Sequence, residues 1–281
     1  LTNKYFKDNS YRRFLFSQAQ PSFKCGGSLI LTNGALLYLF SGPTNQTTEN
    51  FGGSVEVADD IMVTSTCWIY PVSHPTNGGC VFFRAGNVIV STNAGFNADA
   101  GGYAGMSGLG ASGFGPGSGG SRGGGGYGGT GGYQFVGQPY GSSNTPAQCG
   151  SGGGNFGSLP GGTGGGLVWI QADNTFVVDG TITANGVATP GGNNGAGSGG
   201  GIYIRCNRFT GGATGLFCAD GGTSGGSGGG AGGGRIAIWR RHHAYSGAYS
   251  VTNGGGGNPQ ATVGTLVLGD LPPRGTVLFV F

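Results

Sequence analysis

The chain has 281 residues, with Gly 70, a formal net charge of +3 and only 8% charged residues. Ordinary soluble domains carry roughly 25%, so a conventional soluble enzyme is not expected. Intrinsic disorder combines low hydrophobicity with high net charge, whereas this chain is 36% hydrophobic and 11% aromatic and has the apolar mass to collapse.

Residues 1–25 read as an N-terminal basic and apolar arm. Lys4, Lys7, Arg12, Arg13 and Lys24 stand against Asp8 alone, and YRRFLF places Tyr11, Phe14, Leu15 and Phe16 in a sticky β-type run. Residues 26–281 read as a single repetitive β domain. Two irregular copies open it, GGSLILTNGALLYLF (Gly26–Phe40) and GGSVEVADDIMV (Gly52–Val63), with a glycosylation acceptor pattern at Asn45 between them. Four clear units follow, each beginning with glycines and a β-type run: GGCVFFR (Gly78–Arg84), GGGLVWIQ (Gly164–Gln171), GGGIYIRC (Gly199–Cys206) and GGGRIAIW (Gly232–Trp239). A polar turn leads to a second run in each: NVIVST, FVVDGTITA, TGLFCA and AYSVT. An Asx residue at or near glycine then closes the unit, at Asp99, Asn185, Asp220 and Asn253. The last three of these lie 35 and 33 residues apart, and the first two 86 apart, the surplus being a glycine-rich insert over 101–166. GTLVLG (Gly264–Gly269) and the apolar TVLFVF, with Val277, Leu278, Phe279, Val280 and Phe281, end the chain.

No window holds a 3.6-residue apolar period, so the chain reads as all-β. Like strands recurring at a fixed period, two per unit, predict a parallel β-solenoid or β-helix with glycine-rich arcs, in which stacked units share one core. The alternative is a β-sandwich of stacked hairpins, since Asx-Gly is also a hairpin signal. In the insert Arg122 is the only charge, and aromatic residues recur at intervals. Glycine lets extended, three-residue-per-turn backbones approach closely and hydrogen-bond to one another, so a packed polyglycine layer beside the β-core is expected.

Six cysteines, Cys25, Cys67, Cys80, Cys149, Cys206 and Cys218, show no CxxC spacing and are disulfide candidates of an exported protein. Their connectivity stays open, with Cys206–Cys218 and Cys67–Cys80 as local pairings. A GxGxxG match at Gly108–Gly113 has neither the strand before it nor the helix after it that a dinucleotide site needs. Adjacent Asp59 and Asp60 would point to opposite faces of a strand; His242-His243 read as a solvated turn. Asp173, Asp179 and Asp220 are scattered, and Arg205 and Arg208, the basic residues a polysaccharide-cleaving cluster would need, belong to a different unit from the first two. No catalytic residue, metal site or cofactor is expected, and Arg122-Gly123-Gly124 is a single copy, not the repeated box that binds RNA. No apolar run reaches the roughly 18–20 residues of a membrane span.

The segments GGGLVWIQADNTFVVDGTITANG, GAGSGGGIYIRC and GGGAGGGRIAIW resemble the glycine-rich repeat regions of large secreted or cell-surface proteins of bacteria, from about Gly52 to the C-terminus. The resemblance implies export and a β-solenoid-like fold. Together these features lead us to expect an extracellular or cell-surface structural protein, a subunit of a self-assembling fibre or layer whose terminal strands join copies by β-augmentation. The rival expectation is an adhesin or glycan-binding module using Tyr103, Tyr127, Tyr133 and Tyr140 to stack on sugars. The expected partners are copies of the chain itself or glycans, with no nucleic acid and no membrane insertion.

Overall fold

The computed structural model describes residues 2–7, 11–44, 51–108, 110–156, 159–190 and 192–273. Short β-strands follow one another in seven coils of three. The coils are β1 (Lys4–Phe6), β2 (Tyr11–Leu15), β3 (Ser22–Cys25); β4 (Leu29–Leu31), β5 (Leu36–Phe40), β6 (Gly53–Val57); and β7 (Asp60–Val63), β8 (Trp68–Val72), β9 (Val81–Ala85). Next come β10 (Asn87–Val90), β11 (Gly95–Asn97), β12 (Leu167–Ala172); and β13 (Thr175–Val178), β14 (Thr181–Thr183), β15 (Gly201–Arg205). The last are β16 (Arg208–Gly211), β17 (Leu216–Cys218), β18 (Arg235–Arg240); and β19 (His242–Tyr245), β20 (Ala248–Ser250), β21 (Thr265–Asp270). Each coil gives one strand to each of three 7-stranded sheets: A runs β1-β4-β7-β10-β13-β16-β19, B runs β2-β5-β8-β11-β14-β17-β20, and C runs β3-β6-β9-β12-β15-β18-β21. The ladders are parallel throughout, so the chain is a parallel β-solenoid and not a sandwich of hairpins.

A unit therefore holds three strands, not the two read from the sequence. The missed strands include β16 and β19 of sheet A in the later coils and β8 and β11 of sheet B in the earlier ones, while the run FVVDGTITA is two strands, β13 and β14. His242 and His243, expected in a turn, lie in β19, with His243 in register over Phe209. The N-terminal residues 4–6 and 11–15 pair with β4 and β5, so they supply strands of the first coil.

Inward side chains stack in columns because parallel register repeats the same residue position coil after coil. On sheet A a column runs Leu29, Ile61, Val88, Phe176, Phe209. On sheet B it runs Leu37, Ile69, Phe96, Ile182, Phe217, and on sheet C Val55, Phe83, Ile170, Ile204, Ile238. All of these are buried in one continuous core, each contributing about 1.5–3 kcal/mol of apolar burial. The corner between sheets A and B repeats too: Asn33 and Asn93 both take positive φ there, 56° and 58°, a conformation Asn tolerates better than most residues.

Sheets A and B alternate buried and part-exposed residues, whereas the strands of sheet C from β9 to β18 are buried on both faces. That is why LVWI, IYI and IAI read as continuous apolar runs. The outer face of sheet C carries Phe82, Leu167, Trp169, Tyr203 and Ala237, which form a second core with Tyr103, Cys149 and Phe114 of the insert.

The glycine arcs, all between a sheet B strand and the following sheet C strand, form the expected polyglycine layer. Gly150 and Gly153 donate to the carbonyls of Gly165 and Gly162, and Gly195 and Ser198 donate to Gly154 and Ser151. Gly229 and Gly232 donate to Arg122 and Gly125, while Gly162 and Gly165 donate to Gly195 and Ser198. In every case the same neighbour is met again three residues on, the signature of a three-residue-per-turn extended helix. Neighbouring segments run both parallel and antiparallel. Glycine is required by proximity: a Cβ on Gly195 would sit 1.8 Å from the Gly123 carbonyl oxygen, and one on Gly153 2.1 Å from that of Gly195.

Candidate assembly surfaces

Among the described residues, the two ends of the solenoid leave three strands each with one unpaired side: β1, β2 and β3 at one end, β19, β20 and β21 at the other. Such edges are templates for further pairing unless blocked. At the first end Phe6, Phe14 and Phe23 pack only partly against the core, with Phe14 4.8 Å from Phe16 and 5.6 Å from Phe23 between ring centroids. They border an apolar cavity of about 210 Å³ floored by Leu29, Leu37, Leu39 and Val55. Among the described residues the core is thus open at this end. Of the expected assembly residues, Tyr11 and Leu15 are exposed, Phe14 is half-buried and Phe16 is buried, 5% exposed, as part of the core. Val277, Leu278, Phe279, Val280 and Phe281 lie outside the described residues, as does Asn45.

Charge modifies this end. Lys4 stands in register over Leu29 and Arg12 over Leu37, at the heads of two inward columns, and Arg12 and Arg13 border the cavity. Inward-pointing charge is one of the devices that discourages edge pairing. The opposite end is covered by polar or aromatic groups. His243 lies 5.8 Å from the Phe209 ring and Tyr249 5.6 Å from Phe217, whereas Leu266 and Leu268 of β21 stay 42% and 39% exposed. Charges pair in register at both ends of sheet C: Lys24 to Glu56 at 2.9 Å on the outer face at the first end, and Arg240 to Asp270 at 3.0 Å at the other, on the inward side in line with Ile236 and Ile238. The Lys24 hydrogen bond holds the Glu56 carboxyl below its ordinary range.

The four tyrosines of the glycan-stacking expectation are not a common platform. Tyr127 is fully buried and Tyr103 is 9% exposed, so neither ring can lie against a sugar in this structure. Packing explains the change, because an aromatic ring in a glycine-rich insert is its main means of filling space against sheet C. Tyr140 donates to the Cys149 carbonyl and accepts from Ser151; Tyr133 is half-buried beside Arg122.

The carboxylates are spread among separate structural duties. Asp60 accepts from the Asn87 side chain at 2.7 Å and Asp179 from the Gly212 amide at 2.7 Å. The repeated Asx residues form a ladder: Asn185 N–H donates to Asp99 at 2.6 Å, Asp220 N–H to Asn185 at 2.8 Å, and Thr252 N–H to Asp220 at 2.6 Å. Sequence reasoning found these positions but not their pairing. Asp173 shares a shallow cleft with Arg205 and Arg241, a single carboxylate without a second acid. Among the described residues no group of three or more His, Cys, Asp or Glu side chains is placed to hold a metal ion.

All six cysteines are free, and neither local pairing forms. The Cys67 thiol contacts Thr64 and Ser65, while that of Cys80 contacts Ser73 and Gly78. Cys218 donates to Asn185 and Asp220; Cys206 lies in the main core, where burial pushes its thiol up to about 12. Closeness in sequence misleads in a solenoid, because residues a dozen apart lie on different sheets of one coil. Comparison with known proteins finds no matching family model, no matching curated protein and no matching solved structure.

Proposed function

We propose that the protein is an extracellular structural subunit that stacks end to end into a fibre, each copy extending the three sheets of the next. One observation carries this reading: among the described residues both ends expose unpaired strands of the same three parallel sheets. Placing β19, β20 and β21 of one copy beside β1, β2 and β3 of another would continue sheets A, B and C with no change of strand direction. Such a contact is heterologous, so it propagates rather than closing. The apolar cavity framed by Phe6, Phe14 and Phe23 would receive the exposed Leu266 and Leu268 side. The low charge and the glycine layer suit a load-bearing body more than a ligand site, and the extracellular placement follows the resemblance and composition.

Both ends carry basic side chains, Lys4 and Arg12 at one and Arg241 at the other. Their repulsion is screened as the Debye length shrinks from about 10 Å at 0.1 M salt to about 3 Å at 1 M, so assembly should rise with ionic strength. Phe16 N–H bonds to Phe40 on β5, so by strand alternation the Arg13 N–H faces the open side. Arg13→Pro removes that donor without touching the β2–β5 ladder, and Leu268→Lys places a charge at the other end. The wild type should form filaments in negative-stain electron microscopy. Each variant should stay folded by circular dichroism and monomeric by sedimentation, and a mixture of the two should stop at dimers, through the one intact end of each. A wild type monomeric at every concentration and salt level, or one that binds glycans as a discrete monomer, would replace this reading.

A further inference from the structure

We propose that Cys80 and Cys149 are the native disulfide of this protein, a staple that fastens the polyglycine layer to the β-solenoid. Cys80 immediately precedes β9, and Cys149 belongs to the insert where it meets the outer face of sheet C. Both are buried, at 2% and 0% exposure, in the same small core. Both thiols address one backbone oxygen: Cys80 Sγ lies 3.1 Å and Cys149 Sγ 4.0 Å from the Gly78 carbonyl. The two side chains are themselves hydrogen-bonded partners. The thiols of Cys25, Cys67 and Cys218 instead meet backbone carbonyls, a hydroxyl, an amide and the Asp220 carboxylate.

The surroundings also divide the chemical roles. Hydrogen bonds from Cys149 and from the Ser73 hydroxyl, 3.3 Å away, hold the Cys80 thiol below its ordinary range, whereas burial pushes Cys149 up. Cys80 is thus the more readily ionised of the two thiols in the closed core, and the thiolate is the attacking form. With oxidised glutathione as oxidant, Cys80 Sγ bonds to one glutathione sulfur and the other departs as thiolate. Cys149 then loses its proton to water and displaces the second glutathione. Two protein thiols become one disulfide, and the two electrons leave in two molecules of reduced glutathione. Burial requires that this happen during folding or on local opening of the insert.

The bond closes a loop of roughly seventy residues, long enough that restricting the unfolded chain should raise the melting temperature by about 10 °C. The test is to purify the reduced protein, oxidise it with glutathione disulfide, alkylate the remaining thiols after unfolding, and map the peptides. The expected result is a linked peptide pair containing Cys80 and Cys149, with the other four cysteines alkylated, and a melting temperature above that of the reduced protein. Cys80→Ser and Cys149→Ser should each melt near the reduced wild type and gain nothing on oxidation. Comparing reduced with oxidised wild type keeps the test valid if either variant fails to fold. Recovery of both thiols alkylated, a persistent glutathione adduct, pairing of Cys80 elsewhere, or a cross-link that leaves melting unchanged would overturn the proposal. None of these outcomes depends on whether copies of the chain polymerise.

Discussion

At the scale of single residues, glycine here is set by crowding and not by turns. Gly197 shows the case most sharply: a Cβ would meet the Thr163 carbonyl oxygen at 1.9 Å and its carbon at 2.3 Å. Both are backbone atoms held in the glycine layer, so neither can swing aside. Gly255 belongs to the same class of arc, yet a Cβ there would touch only the Thr223 methyl, at 3.7 Å. Gly197→Ala should therefore cost about 1–3 kcal/mol as an overpacking change, read as a lowered denaturation midpoint. Gly255→Ala should stay within about 0.5 kcal/mol of the wild type. Equal losses from the two would show that backbone entropy, not close approach, explains the composition.

Among the elements, the glycine segments and the strands divide the hydrogen bonding differently. A strand pairs with two neighbours in one plane, while segment 150–154 bonds outward in several directions, to Gly165, Gly162, Phe114 and Gly123 and to the Ser198 hydroxyl. Its amides should exchange with solvent as slowly as those of β12 and β15, because both release them only when packing is lost. Hydrogen exchange by mass spectrometry of peptides from 101–166 would decide this; free exchange throughout would mean the layer is not held together. Much of this level was legible in the sequence. Sheet C declared itself through LVWI and IYI, and the layer through its missing charge and spaced aromatics. The strands β16 and β19 did not, because RFTG and HHAY bury little: His242, His243 and Ala244 are exposed on an edge strand, so no apolar alternation marks them. The ends of the Asx ladder were equally readable as positions, but hydrogen bonds between residues 35 or 86 apart exist only once coils are stacked. The Cys80 and Cys149 contact was hidden for the same reason.

For the whole molecule, a core inside three sheets is joined to a second body built almost entirely of backbone. The aromatic residues Tyr103, Phe114 and Tyr127, together with Cys149, are what anchor that body to the solenoid. This distribution has a thermal consequence. Unfolding apolar cores raises heat capacity, whereas hydrating peptide groups lowers it. Ordinary proteins balance at roughly 12–15 cal/mol/K per residue. A chain that buries a large share of bare peptide should fall below that range in scanning calorimetry, and a value within or above it would contradict a layer held by backbone bonds. Its stability curve would then be broad and shallow. The same backbone layer that tolerates almost no side chains would let the fold hold nearly constant strength from cold surroundings to warm ones.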